Sequence, residues 1–169
     1  MDLIASACCT SDSAAAFGMN LLRAGIAWIF LWPLPGLIRN FQATVQTTAL
    51  VFPMARCTTI IGLLVMALGA LSVAVGIFPR VGAAALALYC IGGAFVHKAL
   101  ARRIQTLAEH ASDRSGEVTE IAQLGTLGHV TSAWKNWPIA AACAYIAFAG
   151  AGPGVFLTIC DLCGGACTQ

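Results

Sequence analysis

The fold class this sequence predicts is an all-α membrane protein, a polytopic bundle of four transmembrane helices. Three observations predict it. Hydrophobic residues make up 59% of the 169-residue chain and charged residues 9%, with a mean hydropathy of +0.84, whereas a soluble domain carries about 25% charged residues. The charges are unevenly spread, half of them falling between Lys98 and Glu120. The remainder therefore contains long apolar windows, and four are long enough to cross a bilayer. Lipid offers no partner for backbone N–H and C=O groups, so a crossing segment must be about 20 mostly apolar residues coiled into a helix.

The first window runs from about 14 to 38, AAAFGMNLLRAGIAWIFLWPLPGLI. Pro33 and Pro35 each lack an amide donor, so they are expected to kink or end this helix near its second boundary. The segment from Arg39 to Arg56 changes from polar to apolar and suits a short helix in the membrane interface. The second window, 57–78, is CTTIIGLLVMALGALSVAVGIF, and the third, 81–100, is VGAAALALYCIGGAFVHKAL. With just Pro79 and Arg80 between them, these two form a tight antiparallel hairpin. Gly62, Gly69 and Gly76 recur every seven residues, and Gly92 and Gly93 thin the third window. Glycines on one helix face let backbones approach closely where no hydrophobic effect drives association, so these five are expected to line packing seams.

Between Ala101 and Ala133 lies a stretch resembling soluble protein. KALARRIQTLAEHAS reads as the third helix continuing into water, and DRSGEVTEIAQLGTLGHVTS, which mixes glycine and serine with short apolar runs, reads as a surface loop. The fourth window, about 134–157, is WKNWPIAAACAYIAFAGAGPGVFL. The only early charges are Asp2 and Asp12, so no cleaved signal peptide is expected. ASAC resembles a lipoprotein cleavage box but lacks the preceding Leu.

An even number of spans places both termini on one face. Arg39, Arg56, Lys98, Arg102, Arg103, Arg114 and Lys135 fall on the side of the two longer connections, against Arg23 and Arg80 on the terminal side. Cytoplasmic loops carry the excess of Lys and Arg, so the loop 101–133 is expected in the cytoplasm and the termini on the periplasmic or outer side. Trp32, Trp134 and Trp137 cluster toward the cytoplasmic boundary, while Trp28 lies deeper.

The composition excludes some functions. A net charge of +2, without basic runs interleaved with aromatics, gives no nucleic-acid footprint and no polybasic lipid cluster. The four windows hold no Asp or Glu, which argues against a pump built on a buried acid relay. His97, His110 and His129 lack the H-x3-H or H-E-x2-H spacing that aims two imidazoles at one ion. The cysteines are the remaining candidates. Cys57, Cys90 and Cys143 fall in apolar windows, where a thiol behaves as a small hydrophobe. Cys8 and Cys9, with Cys160, Cys163 and Cys167 in C-x2-C-x3-C spacing, are brought to one face by the even span count. On an oxidising face they suit disulfides, with one left over; a Cu(I) or zinc site and an electron-exchanging dithiol are the alternatives.

LLRAGIAWIFLWPLPGLIRNF, GLLVMALGALSVAVGIFPRVGAAALALY and KNWPIAAACAYIAFAGAGPG resemble the DoxX family of small four-span membrane proteins. The shared features are a Leu-Arg pair opening the first helix, a turn from Gly76 to Arg80, and a Lys-Asn pair before an apolar helix that ends in Gly-Pro-Gly. Arg23, Arg80, Lys135, Asn136, Gly152, Pro153 and Gly154 match family positions, and His97 matches approximately. The resemblance implies a four-helix bundle in the bacterial inner or plasma membrane associated with redox complexes, since relatives include a subunit of thiosulfate:quinone oxidoreductase. Two departures stand out. Met66 occupies the place where many relatives have Glu, and VFLTICD replaces the usual Ser-Leu-Asp after Gly-Pro-Gly. The cysteine-rich ends lie outside the family pattern. The reading favoured here is a non-catalytic subunit packed among other transmembrane subunits of a larger redox or energy-converting complex. Two alternatives stay open: a quinone-linked oxidoreductase subunit, with quinone as cofactor, and a protein that handles thiols, copper or zinc.

Overall fold

The computed structural model describes the backbone of residues 2–111 and 116–152 and the side chains of 14–109 and 120–152. Every regular element among the described residues is an α-helix: α1 Asp2–Leu31, α2 Leu34–Arg39, α3 Phe41–Ala49, α4 Ala55–Val75, α5 Pro79–Ala111 and α6 Gly116–Ala149. Pro33 stops α1 and Pro35 lies in the first turn of α2, where its missing N–H breaks no intrahelical bond. The end of the first window forms α2, and the connecting segment 39–56 contains α3. Thr48 on α3 accepts a hydrogen bond from the hydroxyl of buried Thr59 on α4 at 3.0 Å, fastening the short helix to the bundle.

The α4–α5 hairpin is closed by local chemistry. Gly76 takes a left-handed conformation (φ 86°) and its N–H bonds the Ser72 carbonyl, capping α4; a side chain there would be strained. The Ser72 hydroxyl donates to the Ile77 and Phe78 carbonyls at 2.6 and 3.0 Å, and Pro79 opens α5 with its φ already suited to a helix. Below the turn, a Cβ added to Gly82 would collide with the Ser72 side chain and lie 2.9 Å from the Gly69 carbonyl; one added to Gly69 would meet Leu86. Here two helix backbones touch.

Packing runs around a ring in which α4 lies between α1 and α5, α6 packs along α5, and α6 touches α1 to close the circle. The core draws Ile26 and Phe30 from α1, Met66 and Val73 from α4, Leu86 from α5 and Ile146 from α6, among others. Among the described residues, three helices are apolar and long enough to cross a membrane: Ala14–Arg39, Ala55–Val75 and Pro79–Glu109. Their outward faces carry Leu21, Ile61, Leu64, Leu68 and Leu88, all exposed, the inverse of a water-soluble surface and the arrangement hydrocarbon favours. The described part of α6 is not among these helices, its apolar run being interrupted by Lys135, Asn136 and Pro138; residues 153–157 of the fourth window lie outside the described residues.

The described helices add to or depart from these expectations in the following places. DRSGEVTEIAQLGTLGHVTS, expected as a surface loop, is helix from Gly116 onward and packs along α5, which extends past Lys98 to Ala111 as expected. α1 begins at Asp2 and takes the backbone of Cys8 and Cys9 into the helix. Gly76, expected in a packing seam, caps α4. Gly92 faces open space, whereas a Cβ on Gly93 would lie 2.8 Å from Asn136 Nδ2, so the α5–α6 contact depends on Gly93 alone of that pair.

Candidate functional site

Polar groups in a bilayer-type bundle are few, and the described ones gather at three levels. At the hairpin end, Arg23 on α1 is 4% exposed. Its Nε donates to the Val73 carbonyl at 2.9 Å and its Nη2 to the Ala74 carbonyl at 3.1 Å. The last carbonyls of a helix lack intrahelical donors and carry the negative end of its dipole, so a guanidinium is suited to close them. The sequence gives no hint of this pairing, which joins positions fifty residues apart. At the same end Arg80 lies over Gly150 (φ 100°), where a Cβ would come 3.0 Å from Nη2. Gly152 (φ 70°) abuts Met19 so closely that a Cβ would be 2.7 Å from Cγ. Arg23, Arg80 and Gly152 thus each contact a neighbouring element toward the hairpin end; Pro153 and Gly154 lie outside the described residues.

At mid-height, Met66 is buried and its sulfur accepts a hydrogen bond from Tyr89 Oη at 3.0 Å, while the Tyr89 ring meets Phe30 edge-on at 6.2 Å. The thioether thus occupies a position facing a phenol. Cys90 and Cys143 are buried in the same core as free thiols.

At the far end, α5 and α6 bring His97 and His129 together. The two Nδ1 atoms are 3.0 Å apart, with ring centroids at 5.3 Å, and both side chains are half-buried. One ring donates and the other accepts, which requires opposite tautomers. Lys98 reaches over the Trp134 ring at 5.6 Å, and Phe95 meets Trp137 edge-on at 6.2 Å. Asn136 backs Gly93, and Lys135 points outward. Sequence spacing missed the histidine pair because it looks along one helix, and this pair spans two antiparallel ones. A helical reading of 116–133 would have found it.

Cys57 is exposed, and among the described residues no three of His, Cys, Asp and Glu converge. The side chains of Cys8 and Cys9, all of Cys160, Cys163 and Cys167, and the disulfides and metal site expected of them lie outside the described residues. No family model, no curated protein and no solved structure matches the chain.

Proposed function

We propose that this chain is an integral membrane protein of DoxX type whose α1, α4, α5 and α6 cross the bilayer. In this reading it serves as a non-catalytic packing subunit of a larger membrane redox or energy-converting complex. The observation that carries the reading is the use made of Arg23. An ionisable side chain buried within the membrane is a functional candidate by default, yet this guanidinium holds the end of α4 through Val73 and Ala74. The other buried polar side chain among the described residues, Thr59, is likewise tied to Thr48. Chemistry in the core is thus directed to fixing helix positions, and the outer faces are left for neighbours.

Those faces suit such a role. An open groove of about 560 Å³ runs along the outside of α4 and α5, lined by Leu64, Leu68, Leu71, Val75, Val81 and Ala85, an apolar surface suited to a neighbouring transmembrane helix. Trp28 on α1 and Trp32 just beyond its end stack at 4.8 Å and are 62% and 70% exposed. The fourth crossing is supported by Ala140, Cys143 and Ile146 of α6, which share the core of the other three helices. Arg56 at the start of α4 and Lys98 toward the outer half of α5 follow the cationic bias that puts this end in the cytoplasm.

The test is photo-crosslinking from Leu68 and Trp32 in native membranes, followed by mild solubilisation. Adducts to one protein partner at a fixed stoichiometry are expected. A chain that runs alone and crosslinks to lipid at both sites overturns the subunit reading. Thiosulfate-driven quinone reduction by the isolated chain would replace it with the oxidoreductase reading.

A further inference from the structure

The facing imidazoles carry an inference independent of the subunit reading. We propose that His97 and His129 are a proton-operated latch between the outer halves of α5 and α6, closed while the pair holds at most one excess proton and opened by a second.

The hydrogen bond itself sets this count. The Nδ1 atoms stand head to head at 3.0 Å, so one carries a proton and the other offers its lone pair. In the neutral pair the open nitrogen of the donor ring is Nε2, and an added proton goes there. The Nδ1–H···Nδ1 bond survives and becomes charge-assisted, hence stronger. A second proton finds one lone pair left, that of the accepting Nδ1. Binding there abolishes the bond and sets two cationic N–H groups against each other across 3.0 Å, a repulsion that the rings relieve by parting. Both rings are half-buried, within reach of protons from water.

Among the described residues, nothing offsets the second charge. α5 and α6 pack on each other, on α4 and on α1. Within one turn of either histidine the one ionisable side chain is Lys98, whose ammonium lies over the Trp134 ring. Farther along, Arg102, Arg103 and Lys135 are exposed cations. The described carboxylates, Glu109 and Glu120, are separated from the pair by about 13 Å of helix or more. α4 brings Arg56 and Cys57 in its first turn, both exposed, and α1 brings Arg23 at the opposite, hairpin end.

The fold lets such a latch act. The core cluster reaches Cys90 on α5 and Ala140 on α6, so the pair lies about two turns outside it on one helix and three on the other. Apart from Leu100, the side chains buried at this level are the small Ala94, Ala101 and Ala133, while Leu107, Ile121, Leu124 and Leu127 farther out are exposed. Apolar packing therefore holds the outer halves weakly, and the hydrogen bond supplies a larger share of the attachment. Between latch and core, α6 contains Pro138, which forgoes one intrahelical bond and is where a helix bends. α6 is thus the helix that swings.

The test uses the full chain in detergent, with Cys8, Cys9, Cys57, Cys160, Cys163 and Cys167 changed to Ser and spin labels on Gln105→Cys and Gln123→Cys, two exposed positions beyond the latch. A bend of about 20° at Pro138 moves position 123, about 22 Å along the helix, by roughly 8 Å. The label separation is expected to lengthen by about that amount between about pH 8 and pH 4, on either side of the ordinary imidazole range. His97→Gln and His129→Gln keep a hydrogen-bonding side chain but leave one imidazole, so each is expected to hold the short distance at both pH values. An unchanged distance in the parent overturns the latch, and equal lengthening in the variants assigns the motion to carboxylates and overturns it too. Nitrogen-15 histidine spectra of the unsubstituted pair, with His110→Gln to simplify them, give a second reading. Opposite tautomers in alkali and two protonation steps at least about one pH unit apart are expected; like tautomers, or a single shared step, overturn the proposal.

Discussion

Arg23 on α1 reaches the Val73 carbonyl on α4 through Nε at 2.9 Å, so one guanidinium joins two helices at a point where α4 has run out of donors. Hydrogen bonds to charged groups contribute about 1.5–3 kcal/mol each, and orphaned buried carbonyls cost about as much. Arg23→Leu is therefore expected to lose roughly 3 kcal/mol of stability against SDS unfolding. Arg23→Lys, with one rotatable ammonium in place of a planar fork, should recover about half. Wild-type resistance in Arg23→Leu would remove the clasp from the account.

The glycines of α5 should divide sharply. Gly82→Ala puts a methyl against Ser72 and the Gly69 carbonyl, and overpacking of this kind costs about 1–3 kcal/mol. Gly92→Ala meets nothing within 4 Å and removes backbone freedom from a helix interior, so it should be neutral or stabilising by up to about 1 kcal/mol. Thermal denaturation in one detergent compares the two directly, and a Gly92→Ala as damaging as Gly82→Ala would count against the packing described.

Ser72 fastens the hairpin turn through the Ile77 and Phe78 carbonyls. Ser72→Ala is expected to lower stability by about 1–2 kcal/mol and to speed amide hydrogen exchange at 76–80 more than elsewhere. Uniform exchange across α4 and α5 would show that the turn does not depend on the hydroxyl.

Thiol reactivity separates exposed from core cysteines. In a chain whose five terminal cysteines are changed to Ser, a membrane-impermeant maleimide should modify Cys57, which is exposed, and spare Cys90 and Cys143 until the protein is unfolded. In the proposed orientation, labelling in sealed vesicles occurs from the cytoplasmic side. Labelling from the other side would invert the topology.

How much was legible depended on whether the signal was local. The stop at Pro33, the tight turn between α4 and α5 and the extension of α5 past Lys98 follow from short-range rules about missing donors, window length and charge, and all three are present. The stretch after Gly116 was read as loop because Gly, Ser and β-branched residues lower intrinsic helix preference. Packing along α5 overrides that preference, as Ile104 against Gly125 illustrates. The Arg23–Val73 clasp, the Tyr89–Met66 bond and the His97–His129 pair each join residues more than twenty positions apart. Periodicity within one helix carries no information about which residue of another helix stands opposite.

The unbroken length of α5 has a mechanical consequence. At about 1.5 Å per residue its 33 residues make a rod of about 50 Å, and beyond Gly93 it holds neither glycine nor proline to act as a hinge. A lean of roughly 10° about the hairpin turn would swing the distal tip by about 9 Å, a geometric result of that rise. α5 is therefore a lever, and small reorientations in the hydrocarbon are magnified outside it.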